Sequence, residues 1–176
     1  MACWRGLCKA CRSLIRPRTT ALPARAVSSG TLRQRYTLET KLGAGAFGTV
    51  WRALRRADGL PFAVKMIPRS KHPDLHWLQR EIEIMKALDH PHVLKLHEVF
   101  EDERFVYLVV ELCTGGEVLD RILELGYFTE RLAARLMAHL LEAINHVHER
   151  GIAHRDLKLE NCLLSGRLED ADLKLA

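Results

Sequence analysis

The hydrophobic pattern of the chain changes character near Gly115. Before it, apolar residues come in short runs rich in β-formers: Tyr36 to Leu42, Thr49 to Leu54 and Pro61 to Ile67. Gly43 to Gly48 and Ala57-Asp58-Gly59 separate these runs as turns, so the three segments predict an antiparallel meander. Leu75, Leu78, Ile82, Met85 and Leu88 then recur at intervals of three and four, which puts one apolar stripe on a helix that Pro91 ends. Two further strand-like runs, Val93 to Phe100 and Phe105 to Leu112, are joined by the polar Glu101-Asp102-Glu103-Arg104. Beyond Gly115-Gly116 the pattern is helical. Thr129 can cap a long helix with Glu130 in its first turn, Leu132, Leu136, Leu140, Ile144 and Val147 mark its buried face, and Gly151 stops it. A β-rich half followed by a helical half predicts an α+β fold with a cleft at residues 111–116.

Composition narrows the function classes. A chain of 176 residues with 48% hydrophobic content can bury one core and fits a soluble globular protein. The net charge of +5 suggests nucleic-acid binding until it is located along the chain. Residues 1–35 hold Arg5, Lys9, Arg12, Arg16, Arg18, Arg25, Arg33 and Arg35 with no acid, so the remainder is net acidic and no nucleic-acid partner is expected. Cys3, Cys8 and Cys11 lie in the same extension, with only Cys113 and Cys162 elsewhere, an odd and scattered set that argues for a reducing compartment over a disulfide framework. The best apolar run, Phe105 to Val110, is closed by Glu111 and is far short of a membrane span. A cytoplasmic body is the expectation. Three readings fit residues 1–35: a disordered arm, an organellar transit peptide, or a segment anchored to a membrane through acylated cysteines. Ala2 excludes N-myristoylation, and a metal site on the three cysteines lacks a fourth ligand.

Three stretches carry chemistry. Gly43-Ala44-Gly45-Ala46-Phe47-Gly48 fits a phosphate loop, because residues without a Cβ let backbone N–H groups approach phosphate oxygens; a plain hairpin turn fits it too. A dinucleotide loop would lead into a helix, whereas Thr49-Val50-Trp51 continues as a strand, so the phosphate reading is of a mononucleotide. Lys65, inside the apolar Phe62-Ala63-Val64-Lys65, must snorkel or find an anion, and Glu81 on the helix can supply a carboxylate; in isolation each is a surface charge. His154-Arg155-Asp156-Leu157-Lys158-Leu159-Glu160-Asn161 sets a base, a cation and a metal-ligating amide at the spacing of a phosphoryl-transfer loop.

In that order these residues resemble the signature set of the eukaryotic protein kinases, over residues 36 to 176. Leu88-Asp89-His90-Pro91-His92-Val93-Leu94-Lys95-Leu96 and Glu111-Leu112-Cys113-Thr114-Gly115-Gly116-Glu117 are similar to the calcium/calmodulin-dependent group, and most similar to the calcium-dependent protein kinases of plants and protists. Lys158 is similar to serine/threonine kinases, while Leu159 departs from the Pro commonest in the calcium-dependent members. The resemblance implies a complete β-rich N-lobe with its αC helix over residues 36–111, followed by the hinge and an incomplete helical C-lobe over 112–176. It implies ATP and Mg²⁺ as cofactors and a protein substrate as partner.

By the same resemblance Asp156 accepts the proton of the substrate hydroxyl, Lys158 steadies the transferred phosphoryl group and Asn161 ligates Mg²⁺. Leu42, Gly43, Ala44, Gly45 and Gly48 cover the nucleotide; Lys65, held by Glu81, faces its phosphates. Val50, Ala63 and Leu163 sandwich adenine, the backbone of Glu111 and Cys113 binds its edge, and Val110 is the gatekeeper. Glu117 and Glu160 match acidic positions that receive basic residues preceding the acceptor in some substrates, and also fit solvated surface acids. His154 is implied to pack in the core toward Met85, and Cys162 reads as a small buried hydrophobe. His90-x-His92 and His146-x-His148 resemble metal pairs, but two residues apart on a helix do not share a face and nothing completes a site. In the family an Asp-Phe-Gly triplet follows a strand like Leu173-Lys174-Leu175-Ala176; its Asp is the principal Mg²⁺ ligand and its Phe packs between Met85 and His154. The sequence ends before it, so the 176 residues are expected to be C-terminally truncated and to transfer phosphate weakly or not at all. The alternative from another class is a non-catalytic, kinase-derived module that binds nucleotide or a partner.

Overall fold

The computed structural model describes residues 30–45, 48–71, 75–166 and 170–176. Residues 1–29, with the three extension cysteines, and Ala46 and Phe47 of the glycine loop lie outside them. A one-turn helix α1 (Leu32–Arg35) leads directly into the first strand. Strands β1 (Tyr36–Gly45), β2 (Gly48–Arg55), β3 (Pro61–Pro68), β4 (Leu96–Glu101) and β5 (Phe105–Glu111) form one antiparallel sheet in the order β1-β2-β3-β5-β4. Helix α2 (Leu75–Ala87) lies between β3 and β4 in the chain. A short β6 (Gly116–Glu117), helices α3 (Val118–Leu125) and α4 (Glu130–Glu149), and strands β7 (Cys162–Leu164) and β8 (Leu173–Leu175) follow, with β6-β7-β8 as a second small sheet.

The meander is explained by its two buried faces. Alternate residues of β3 point to opposite sides, so Phe62 and Val64 join Tyr36, Ala53, Phe100, Val109 and Leu32 in one cluster, while Ala63 and Ile67 join Val50, Leu108 and Val110 in another. Tyr36 anchors the first cluster: its ring meets Phe62 and Phe100 edge-on and its hydroxyl donates to Glu98 at 2.8 Å. Burial and the adjoining Glu98 carboxylate push that phenol up to about 12.

Two boundaries differ from the sequence pattern. The strand expected from Val93 begins at Leu96, because the 90–95 segment is spent on cross-links to β8: Val93 bridges Leu175, Leu94 N–H donates to Leu175 O at 2.8 Å, and Leu175 N–H donates to His92 O at 2.8 Å. Helix α2 is buried on more than its predicted stripe. Leu78, Ile82 and Met85 pack on the sheet, whereas Ile84 and Leu88 pack against Val93, Ala143, Val147 and Leu175 on the other side. The long helix α4 begins as expected, with Thr129 Oγ1 accepting from Leu132 N–H at 3.3 Å, and Gly151 follows it at φ 69°.

Candidate functional site

The residues on the cleft side of the sheet converge. Val50, Ala63, Val110, Cys113 and Leu163 share one apolar cluster, with the half-buried Leu42 against it. These come from β2, β3, β5, the linker after β5 and β7, so the large sheet and the small sheet each supply a wall. Register explains the juxtaposition: Val50 pairs with Lys65 across β2 and β3, and Ala63 pairs with Val110 across β3 and β5. Lys65 is two residues beyond Ala63 and therefore on the same face. It is 2% exposed and Glu81 on α2 is 3% exposed, so neither is a surface charge. Gly48, directly after the undescribed pair 46–47, has φ 138°, and a Cβ there would stand 2.0 Å from the Met66 carbonyl oxygen. Leu42, Gly43, Ala44 and Gly45 belong to β1, with Gly45 opposite Gly48 in a hairpin, so the glycine loop is the tip of the β1–β2 ribbon.

The linker between the two sheets is held by its ends. Glu111 N–H donates to Lys95 O at 3.0 Å, its Oε1 accepts from Lys95 N–H at 2.7 Å, and its Oε2 pairs with Lys174 Nζ at 2.7 Å. Thr114 and Gly115 N–H groups donate to Ser165 O and Leu164 O at 3.1 and 3.0 Å. Gly115 has to be glycine, because a Cβ would stand 2.1 Å from Gly166 O. Sequence reasoning found Glu111 but not Lys95 or Lys174; a pair 63 residues apart leaves no periodic signal. Burial, aided by the Glu111 charge, pushes the Cys113 thiol up to about 12, and burial pushes Cys162 up to about 11, which makes both inert apolar packing groups.

The loop between α4 and β7 carries the polar centre. Asn161 is fully buried in a short turn, Leu159–Asn161, that precedes β7. Its Nδ2 donates to Asp156 O at 2.7 Å and to Asp156 Oδ2 at 3.1 Å, while its Oδ1 is buried without a hydrogen-bond partner. Lys158 Nζ forms an ion pair with the same Asp156 oxygen. The lysine, seconded by the Asn161 amide, holds Asp156 below the usual carboxylate range. Arg155 has φ 63°, a left-handed conformation costly for a residue with a Cβ, and it turns the chain so that His154 and Asp156 take their places. Asp156 N–H donates to His154 Nδ1 at 3.4 Å, which leaves the ring proton on Nε2 to donate to Ala176 O at 3.2 Å. Burial keeps His154 below its ordinary value and hence neutral near pH 7.

His154 and Met85 line one apolar cavity together with Leu88, Val147 and Leu175. The two residues face a shared space, as the family's intervening Phe would require. The two candidate substrate-binding acids separate: Glu160 is half-buried beside the loop, but Glu117 in β6 is 4% exposed and is not a solvated surface acid. One of the two histidine pairs also needs correction, since His146 and His148 do lie on α4. His90 and His92 lie in the turn before β4, not on a helix, and His92 stacks on His139 of α4, with Asp172 alongside.

This arrangement can take a triphosphate beneath a glycine ribbon, a planar base between apolar walls, and a hydroxyl at an ionised carboxylate. The Asn161 Oδ1 left without a donor suits a hard cation, which oxygen ligands hold. Comparison with known proteins agrees with it: the family model described as protein kinase domain matches residues 36–176. Calcium-dependent protein kinase 24 of Oryza sativa subsp. japonica is 41% identical over 167 residues, covering 90% of this chain and 33% of that protein. Calcium-dependent protein kinase 5 of Plasmodium falciparum is 42% identical over 135 residues, 77% of this chain and 24% of the relative. A probable myosin light chain kinase of Dictyostelium discoideum is 43% identical over 150 residues, 85% and 47% respectively. The chain thus spans less than half the length of each of these relatives.

Proposed function

The chain belongs to the protein kinase family, and we propose that residues 36–176 build the nucleotide pocket and catalytic loop of a serine/threonine protein kinase of the calcium-dependent type. The observation that carries this is the pairing of an ionised Asp156 with a buried Asn161 whose Oδ1 accepts no hydrogen bond. ATP lies with adenine among Val50, Ala63 and Leu163, its edge on the Glu111–Cys113 backbone, and its phosphates toward Lys65, which Glu81 orients. Val110, a small gatekeeper, leaves space behind the base.

In the transfer, Asp156 takes the proton of a Ser or Thr hydroxyl as the hydroxyl oxygen bonds the γ-phosphorus, and the bond from that phosphorus to the β-bridging oxygen breaks to release ADP. Lys158 neutralises charge on the moving phosphoryl group and at the same time keeps Asp156 ionised. Asn161 would hold Mg²⁺ through its Oδ1, and the ion would supply charge neutralisation for the transfer. The burial of Glu117 leaves Glu160 as the acid that meets a basic residue of the substrate.

No Asp-Phe-Gly triplet occurs among the 176 residues. A metal carboxylate contributes on the order of several kcal/mol, so supplying an Asp-Phe-Gly segment to these residues is expected to raise phosphate transfer by orders of magnitude. The test is γ-phosphate transfer to a basic Ser-containing peptide by the purified chain, and by the same chain continued through an Asp-Phe-Gly segment and large lobe of a calcium-dependent relative. The chimera is expected to be active and to lose activity on Asp156→Asn. An active chimera indifferent to Asp156→Asn would remove Asp156 from the role given to it.

A further inference from the structure

Away from the nucleotide cleft, three elements bring metal-binding side chains to one point. His92 comes from the turn before β4, His139 from α4, and Asp172 from the residue before β8. Their ligand atoms all lie within 4.8 Å of one another. The two imidazoles are stacked, 3.8 Å between centroids and 10° between planes, which brings the rings together with their lone pairs in nearly parallel planes. Glu142, one turn beyond His139 on α4, has Oε2 3.5 Å from His92 Nε2.

The hydrogen bonds around the cluster prepare His92 as a ligand. His92 Nδ1 is 3.2 Å from Leu173 O and donates its proton there, which leaves the Nε2 lone pair directed at Glu142 and available to a cation. His139 Nδ1 accepts a longer bond from Leu173 N–H at 3.3 Å and stands 3.9 Å from Asp172 Oδ1. Around a tetrahedral zinc ion, ligand atoms lie about 3.4 Å apart, given metal–ligand bonds of roughly 2.0–2.2 Å. Because the in-plane lone pairs of nearly parallel rings cannot meet on one ion, binding turns the His139 ring out of the stack toward Asp172 and releases its bond from Leu173 N–H.

We propose that His92, His139 and Asp172, completed by Glu142, form a structural site for a borderline divalent transition ion of the zinc class. Two imidazoles with two carboxylates suit zinc and do not suit Mg²⁺ or Ca²⁺, which take oxygen ligands. The site is separate from Asp156 and Asn161 and has no part in the transfer step. Its effect is mechanical: the ion staples the entry of β4 to α4 and to β8, at the point where His92 O and Leu94 N–H are already bonded to Leu175.

The test is calorimetric titration of the metal-free chain with Zn²⁺ alone, in excess Mg²⁺, with Cys3, Cys8 and Cys11 replaced by Ser in every protein so that thiolates bind nothing. One ion per chain is expected, with a rise in melting temperature. Asp172→Asn, at an exposed side chain, and His139→Gln are each expected to weaken binding about tenfold or more while the metal-free far-ultraviolet spectrum stays unchanged. Absence of saturable zinc uptake by the parent, or uptake of equal affinity by both variants, overturns the site. Should His139→Gln alter the metal-free fold, Asp172→Asn decides, with Co²⁺ absorption reporting nitrogen and oxygen ligation without a thiolate band.

Discussion

At Gly48 a single missing methyl group sets the shape of the glycine ribbon. Its φ of 138° is one that L side chains avoid, and a Cβ would meet the Met66 carbonyl at 2.0 Å, a backbone atom that cannot swing aside. Gly48→Ala is therefore expected to cost about 2 kcal/mol or more, with a lower urea midpoint and weaker nucleotide binding in the same protein. The sequence marked this glycine as one of a phosphate loop; its contact with β3 is visible only in three dimensions. Asp156, Lys158 and Asn161 were legible for a different reason. They lie within six residues of each other, so local spacing alone carries the constellation. Glu117 shows the opposite case, where an acid that fits a surface position turns out to be buried by the sheet around it.

Among the elements, those with local signals were legible and those defined by partners were not. The ends of α4 are written in Thr129 and Gly151, and the capping bond is present. Thr129→Ala is expected to lower stability by about 1 kcal/mol, read as a shift in the urea midpoint with unchanged slope. Val93 has the composition of a strand residue, yet its segment is taken up by β8, where its partner Leu175 is 82 residues away, and pairing of that kind has no local signature. Ile84 was missed likewise. It lies off the stripe that faces the sheet and is buried because α2 packs against the α4 side as well. The histidine cluster shares this origin, since His92, His139 and Asp172 are distant in sequence and become neighbours only through the packing of α4 on the 90–95 turn and β8.

Across the described residues, histidines partly or wholly removed from water set the response to acid, with His154 buried, His90, His139 and His146 half-buried, and His97 more open. Burial is the largest cause holding His90, His97, His139, His146 and His154 below 6.5 in the folded state. The unfolded chain binds protons at about 6.5, so between the two values it holds more protons than the folded chain, and stability rises with pH there. The stabilising contribution is complete above about 6.5 and is lost as pH falls from there toward the folded values. Urea midpoints in metal-free buffer are expected to drop between about pH 7.5 and 5.5, and a flat midpoint over that range would contradict the assigned neutral histidines. His154 matters most at the site, because its ring lies between the apolar cavity and its hydrogen bonds to Asp156 N–H and Ala176 O, and a charged ring would disturb the loop that holds Asp156.

The central claim is that the apolar cluster of the two sheets, Lys65 and the Asp156–Asn161 pair together receive Mg-ATP. Calorimetric titration of the 176-residue chain with ATP, with and without Mg²⁺, tests it most directly. Saturable binding is predicted, weakened about tenfold or more by Lys65→Met, with the strengthening due to Mg²⁺ lost in Asn161→Ala while binding of ATP alone is kept. A folded chain that binds no ATP, or whose Lys65→Met and Asn161→Ala variants bind Mg-ATP as tightly as the parent, would contradict the account.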